Sequence, residues 1–236
     1  MKVAIHQPQY LPWVGYFDKM DQADSFVILD DVQFKKNEWQ NRNRIKTASG
    51  WQWLTVPVRH RFPQRISEVE IDNSAPWARK HRQALIANYA GAPCFEAHRA
   101  FFDDLYDREW RRLQDLSLAT VVHLAGALGI HTKLLLASSL ALPSPPSETA
   151  ASDRLIAICR AVGADVYLSG PGGQSYLDLG RFQQAGVQVV FQAFRTPPYP
   201  QRFAAFEPDL SVVDLLFNCG AESLDVLRRG REEGAT

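Results

Sequence analysis

Apolar residues open the chain in a short continuous run, Val3-Ala4-Ile5, which His6, Gln7 and Pro8 end abruptly. Such a run predicts a strand buried on both faces. Val14, Phe17 and Met20 then recur at helical spacing, so Val14–Asp21 reads as a helix. Ser25–Leu29, SFVIL, is uninterrupted again and predicts a second buried strand. Strand, helix and strand within about thirty residues make a βαβ unit, whose strands run parallel.

The pattern then changes. RIKTASGWQWLTVPV, Arg44–Val58, predicts an inserted hairpin with its turn at Ser49-Gly50. Ile66–Asp72 alternates and predicts a further strand. From Pro76 to Gly129 the period becomes helical, with helices over Pro76–Ala90, Pro93–Asp107 and Trp110–Leu128. HTKLLLASS reads as a strand, and ALPSPPSETAA as a proline-serine surface loop around Pro143–Pro146. A helix over Ser152–Val162 follows, then strand, glycine turn and helix start in ADVYLSGPGGQSYLD, then a strand over Val187–Phe194. Four prolines make Thr196–Asp209 a loop. Ser211 opens a closing helix, with Asp214 as a capping-box partner three residues on. The expected fold class is α/β, a mainly parallel sheet with an inserted β-hairpin and a helical segment around 76–130. The whole chain, 1–236, reads as a single domain.

Composition narrows the function class. The balance of 26 basic and 26 acidic residues argues against a chain that coats nucleic acid. Cys94, Cys159 and Cys219 are widely spaced, with no CxxC pair, so neither a disulfide framework nor a zinc site is expected. The opening residues lack an apolar signal segment, and no run approaches the roughly 18 apolar residues of a membrane span. A cytoplasmic location and no membrane span are therefore expected. Trp13, Trp39, Trp51 and Trp53 crowd the first quarter of the chain.

Ligands of open parallel sheets bind beyond the carboxyl ends of the strands. His6 and Gln7 stand at such an end, and Tyr10 and Trp13 follow as walls of the same loop. The alternative for Trp13 is packing over the sheet. Asp30 and Asp31 follow the second strand, with Gln33 beyond them. Adjacent carboxylates there serve Mg²⁺ with substrate phosphates, proton transfer, or turn capping. In WQNRNRIK, Arg42, Arg44 and Lys46 share one face of an extended segment, while Asn41 and Asn43 alternate with them and Trp39 leads. That face suits a phosphate or carboxylate, unless it is simply a solvated hairpin arm. Ser169, Gly170, Gly172, Gly173 and Tyr176 belong to a glycine-rich turn able to cradle phosphate, though it lacks P-loop spacing. His81, on a helix face beside Lys80, is a second possible base; His60, His98, His123 and His131 read as structural or exposed.

IHQPQYLPWVGYFDKM, LDDVQF, WQNRNRIK, WLTVPV, YLSGPGGQSYLD and LSVVDLLFNCG together resemble the WbqC-like protein family, nearly end to end. The resemblance implies a bacterial protein encoded with O-antigen and other polysaccharide genes, and transfer of glycine or a similar group onto a sugar. More loosely, the opening is similar to HUP-type nucleotidyltransferases and pantothenate synthetase-like ligases, which implies a Rossmann-like sheet. The sequence departs from their nucleotide motif, since His6 stands earlier than either usual histidine and Tyr16 follows Gly15. The expected function is a transferase attaching an acyl or aminoacyl group to an amino-sugar nucleotide, with His6 or His81 as base, and Asp30 as a further catalytic candidate. ATP with Mg²⁺ is one possible activating cofactor, and an aminoacyl-tRNA or a thioester is another possible donor. The alternatives are an ATP-dependent nucleotidyltransferase or amide ligase, a non-catalytic module of a polysaccharide assembly complex, and a nucleic-acid contact protein using Trp39 and the basic strip.

Overall fold

The structure is a computed structural model that describes residues 1–142, 151–203 and 205–234, with side chains described as far as Arg231. β1 (Lys2–His6) and β2 (Ser25–Ile28) pair in parallel and are joined by α1 (Val14–Asp21). The chain leaves the sheet for a hairpin of β3 (Arg42–Thr47) and β4 (Gly50–Thr55), and for a small antiparallel pair of β5 (Val58–Arg59) and β6 (Glu70–Ile71). Helices α2 (Trp77–Tyr89), α3 (Phe95–Asp107) and α4 (Leu113–Leu128) follow. The chain then returns to the sheet as β7 (Lys133–Leu136), which pairs with β2. α5 (Ala151–Val162), β8 (Val166–Ser169), α6 (Leu179–Gln184) and β9 (Gln188–Phe191) complete the second half, and α7 (Val212–Cys219) and α8 (Ser223–Gly234) close the chain.

The five-stranded sheet is parallel throughout, in the order β7-β2-β1-β8-β9. Counting only its own strands in chain order, that is 3-2-1-4-5, the doubly wound arrangement. Side-chain alternation explains why both faces are covered. Ala4, Phe26, Ile28 and Leu168 join a core with α1, α4 and α7. Val3, Ile5, Val27 and Tyr167 join a second core with α5 and α6. Successive residues of one strand thus enter opposite cores, which is why their sequence is uniformly apolar.

Three expectations need correction. Ile66–Asp72 is mostly not a strand: Ile66–Glu68 forms a 3₁₀ turn and only Glu70–Ile71 pairs. The closing helix is two helices, broken at Gly220 with φ +52°. Asp214 caps nothing; it is fully buried and accepts hydrogen bonds from Tyr89 and Tyr199 hydroxyls. The linker expected at Pro143–Pro146 lies outside the described residues.

Candidate functional site

The sheet order reverses between β1 and β8, and a crevice of about 350 Å³ opens beyond the carboxyl ends of these two strands. His6 and Gln7 line it from β1, and Ser169, Gly170, Gly172, Gly173 and Tyr176 from the turn after β8. Position follows from local sequence. β1 stops because Pro8 cannot continue a strand ladder. The turn after β8 stays close because a Cβ on Gly173 would lie 2.1 Å from Ser169 Oγ, whereas Gly170 and Gly172 face open space.

His6 Nδ1 lies 3.0 Å from the Gln7 carbonyl oxygen. A carbonyl can only accept, so Nδ1 carries the proton and Nε2 keeps its lone pair. Burial, reinforced by Lys19, lowers the pKa of His6 to about 3, against a smaller upward effect of the Gln7 carbonyl. The imidazole is therefore neutral across the physiological range. Lys19, from α1, also lines the crevice, and its Nζ donates to the Ile5 carbonyl at 2.8 Å.

A second cavity of about 240 Å³ shares His6 and Gln7 and extends to Lys35, Glu38 and Trp39. A third, of about 340 Å³, shares Glu38 and Trp39 and extends to Arg42, Arg44, Trp51 and Trp53. Together they form one trough. Gln40 donates to Gln7 Oε1 at 2.7 Å and ties its two walls. At the far end the register sets Arg44 opposite Trp53. Arg42 Cζ sits 4.2 Å from the Trp53 ring centre, and Arg44 Cζ sits 5.1 Å from Trp51 and 5.7 Å from Trp39. Each indole remains about 40% exposed, at 37% for Trp39, 42% for Trp51 and 37% for Trp53. Two cations and three aromatic faces thus stand on one open platform.

Other residues singled out in the sequence lie elsewhere. Tyr10 is fully buried, bonded to the Tyr106 hydroxyl at 2.6 Å and to His81 Nδ1 at 3.0 Å. His81 borders a separate groove between β4 and α2, and burial lowers its pKa to about 4. Trp13 packs over Gly15 and edge-on to Phe194. Asp30 is buried, accepting from Gln114, the Ser138 amide and the Ser138 hydroxyl, while Asp31 is ion-paired to Arg154. Neither carboxylate lines the crevice. Gln33 pairs through its backbone with Arg65 in an isolated antiparallel bridge. Asn41 and Asn43 are buried and donate to the Val56 and Leu11 carbonyls, and Lys46 is buried with its Nζ on the Ala205 carbonyl.

A sequence model of the WbqC-like protein family matches residues 7–226. The chain belongs to the WbqC-like protein family. It is also 39% identical over 237 residues to a protein described as uncharacterized protein Rv1507c, from Mycobacterium tuberculosis (strain ATCC 25618 / H37Rv). That match covers 98% of this chain and 99% of the relative. No solved structure matches. Among the described residues of this WbqC-like chain, no helix is long and apolar enough to cross a membrane.

Reading the sequence missed Trp51, Trp53 and Lys19. The two tryptophans carried a usable signal, because they fall at alternate positions of the hairpin arm facing the basic strip. Lys19 carried none, since nothing in its helix marks that all of Val14–Met20 is buried.

Proposed function

We propose that this WbqC-like protein transfers an acyl or aminoacyl group, of glycyl type, to an amino-sugar nucleotide in surface polysaccharide biosynthesis. One observation carries the reading. A single trough, continuous through shared lining residues, links a crevice at the sheet's reversal point to a guanidinium–indole platform. A sugar nucleotide has matching parts: a base that stacks on indoles, phosphates that pair with guanidiniums, and a sugar that reaches onward. In the reaction, the acceptor amine attacks the carbonyl carbon of the activated donor. A C–N bond forms, the bond to the donor's leaving group breaks, and the amine gives up a proton. The amine's proton passes to the lone pair of His6 Nε2 in the crevice and from there to the departing group. His81, in the other groove, has no part in the scheme.

The 3-2-1-4-5 sheet order favours a second reading, an ATP-dependent nucleotidyltransferase or amide ligase, because ligands of such sheets include nucleotides at this position. Neither Asp30 nor Asp31 lines the crevice, and each is bonded to a protein partner, so they do not fit a Mg²⁺ site facing it. The experiment is mass spectrometry of a panel of amino-sugar nucleotides incubated with glycine, with and without ATP, and with aminoacyl-tRNA or a thioester as donor. An acylated sugar nucleotide supports the transferase, and the productive arm names the donor. A nucleotidylated product supports the second reading. Saturable binding without any product returns the protein to a non-catalytic binding role.

A further inference from the structure

Lys19 is a cation in the wrong place for a structural role. It is 2% exposed, on a helix buried around nearly its whole surface. An ammonium carries three N–H donors, and the Ile5 carbonyl takes one. Among the described residues, Lys19 forms no ion pair with a carboxylate. Its neighbour Asp18 is held by Arg231 and Gln192. Asp31, beyond β2, is neutralised by Arg154, beside the crevice-lining Leu155 on α5. The other titratable groups lining the crevice are His6, Tyr167 and Tyr176, all uncharged at neutral pH. A buried charge without a counter-charge is costly, and a methionine would fill the helix position without that cost.

We propose that Lys19 is the anion receptor of the crevice, taking up a proton as a phosphate or carboxylate oxygen of the ligand lodges beside His6 and Ser169. The proposal rests on the functional reading in one respect, that the crevice is a ligand site, and it deepens that reading by placing there a further anionic group, separate from the phosphates held at the platform. Burial lowers the pKa of Lys19 to about 7, so the empty crevice holds amine and ammonium in comparable amounts near neutrality. An anion beside Nζ favours the ammonium. It also offsets the Lys19 charge, the lesser of the two causes that keep His6 unprotonated, so the same event raises the basicity of the imidazole while burial still lowers it.

The test is calorimetric titration of the full chain with pyrophosphate and, separately, with acetate, in two buffers of different ionisation enthalpy. With an amine near pKa 7, bound anion should bring close to one proton at pH 8 and about half of one at pH 7. Lys19→Met should abolish the uptake and weaken binding by at least about tenfold, with thermal melts confirming the fold. Uptake with pyrophosphate alone identifies a phosphoryl ligand, and uptake with acetate alone a carboxylate. Binding by wild type without proton uptake at pH 8 overturns the proposal, whether or not the variant folds. So does unchanged affinity in Lys19→Met, or failure of both anions to bind. The two readings fail separately. Sugar-nucleotide binding that ignores Lys19 leaves the transferase standing, while proton-coupled pyrophosphate binding with no acylated product leaves only Lys19 standing.

Discussion

Arg42 and Arg44 rest their guanidiniums on indole faces rather than on carboxylates. Their charge is therefore available to a ligand. A charge-assisted contact contributes ~1.5–3 kcal/mol, so Arg42→Ala and Arg44→Ala should each weaken sugar-nucleotide affinity by roughly ten- to a hundredfold. Arg→Lys should recover part of the loss, because an ammonium neither stacks nor forks. Titration calorimetry measures both, and unchanged affinity in both alanine variants would make the strip a solvated hairpin face. Gly173 poses the converse case. Its missing side chain leaves room for Ser169 Oγ, 2.1 Å from where a Cβ would stand. Gly173→Ala should displace that hydroxyl and impair crevice binding by about tenfold or more, at a stability cost of roughly 1–3 kcal/mol. Thermal melts and anion titration separate the two effects.

The hairpin is fixed by its alternate residues. Asn43 is fully buried, donates to the Leu11 carbonyl at 2.8 Å and accepts the Arg44 amide at 2.8 Å. Asn43→Ala leaves a buried carbonyl unpaired, so it should cost about 1–3 kcal/mol in urea unfolding and loosen the platform's seat. No loss of stability would place the anchoring elsewhere. This alternation also marks what the sequence made legible. The 3.6 period located α1 at Val14–Asp21 as expected, and uninterrupted apolar runs located the first two sheet strands, because burial on both faces leaves a direct trace in composition, whereas the alternation of Ile66–Asp72 yielded only the short β6. They could tell that Arg42, Arg44 and Lys46 share a face, but not that the chain near Ala205 covers Lys46. They put His6 and Ser169 at strand ends, where the crevice has both. Local pattern could not separate exposed from buried polar residues once distant segments decide the matter. Tyr10, His81 and Asp30 meet partners 96, 71 and 108 positions away.

Across the whole molecule, burial of neutral bases shapes the response to acid. His81 is lowered from 6.5 to about 4 and His6 to about 3. As pH falls below 6.5 the unfolded chain binds these protons first, so the folded state loses stability progressively until pH reaches the folded values. For His81 that amounts to on the order of 3 kcal/mol at the acid end. The difference in unfolding free energy between wild type and His81→Phe, followed from pH 8 to 4, should therefore shift against wild type as pH falls through 6.5. A pH-independent difference would mean that His81 protonates equally in both states. The trough adds a second property at this scale. One wall belongs to the sheet, and the other is inserted between its second and third strands, with Gln7 and Gln40 joining them.

The indole cluster is also an optical instrument built into the molecule. Trp39 and Trp51 each stand about 5.5 Å from Trp53, at 5.4 and 5.5 Å between ring centres. Chromophores that close couple their excited states, so the cluster should superimpose a paired positive and negative band on the far-ultraviolet dichroism of the helices. Trp13, Trp77 and Trp110 are more shielded and lie away from the trough. A ligand that stacks on the platform should quench its emission and alter that paired band, while one confined to the His6 crevice should leave both unchanged. Unlabelled protein can therefore report which end of the trough a compound occupies.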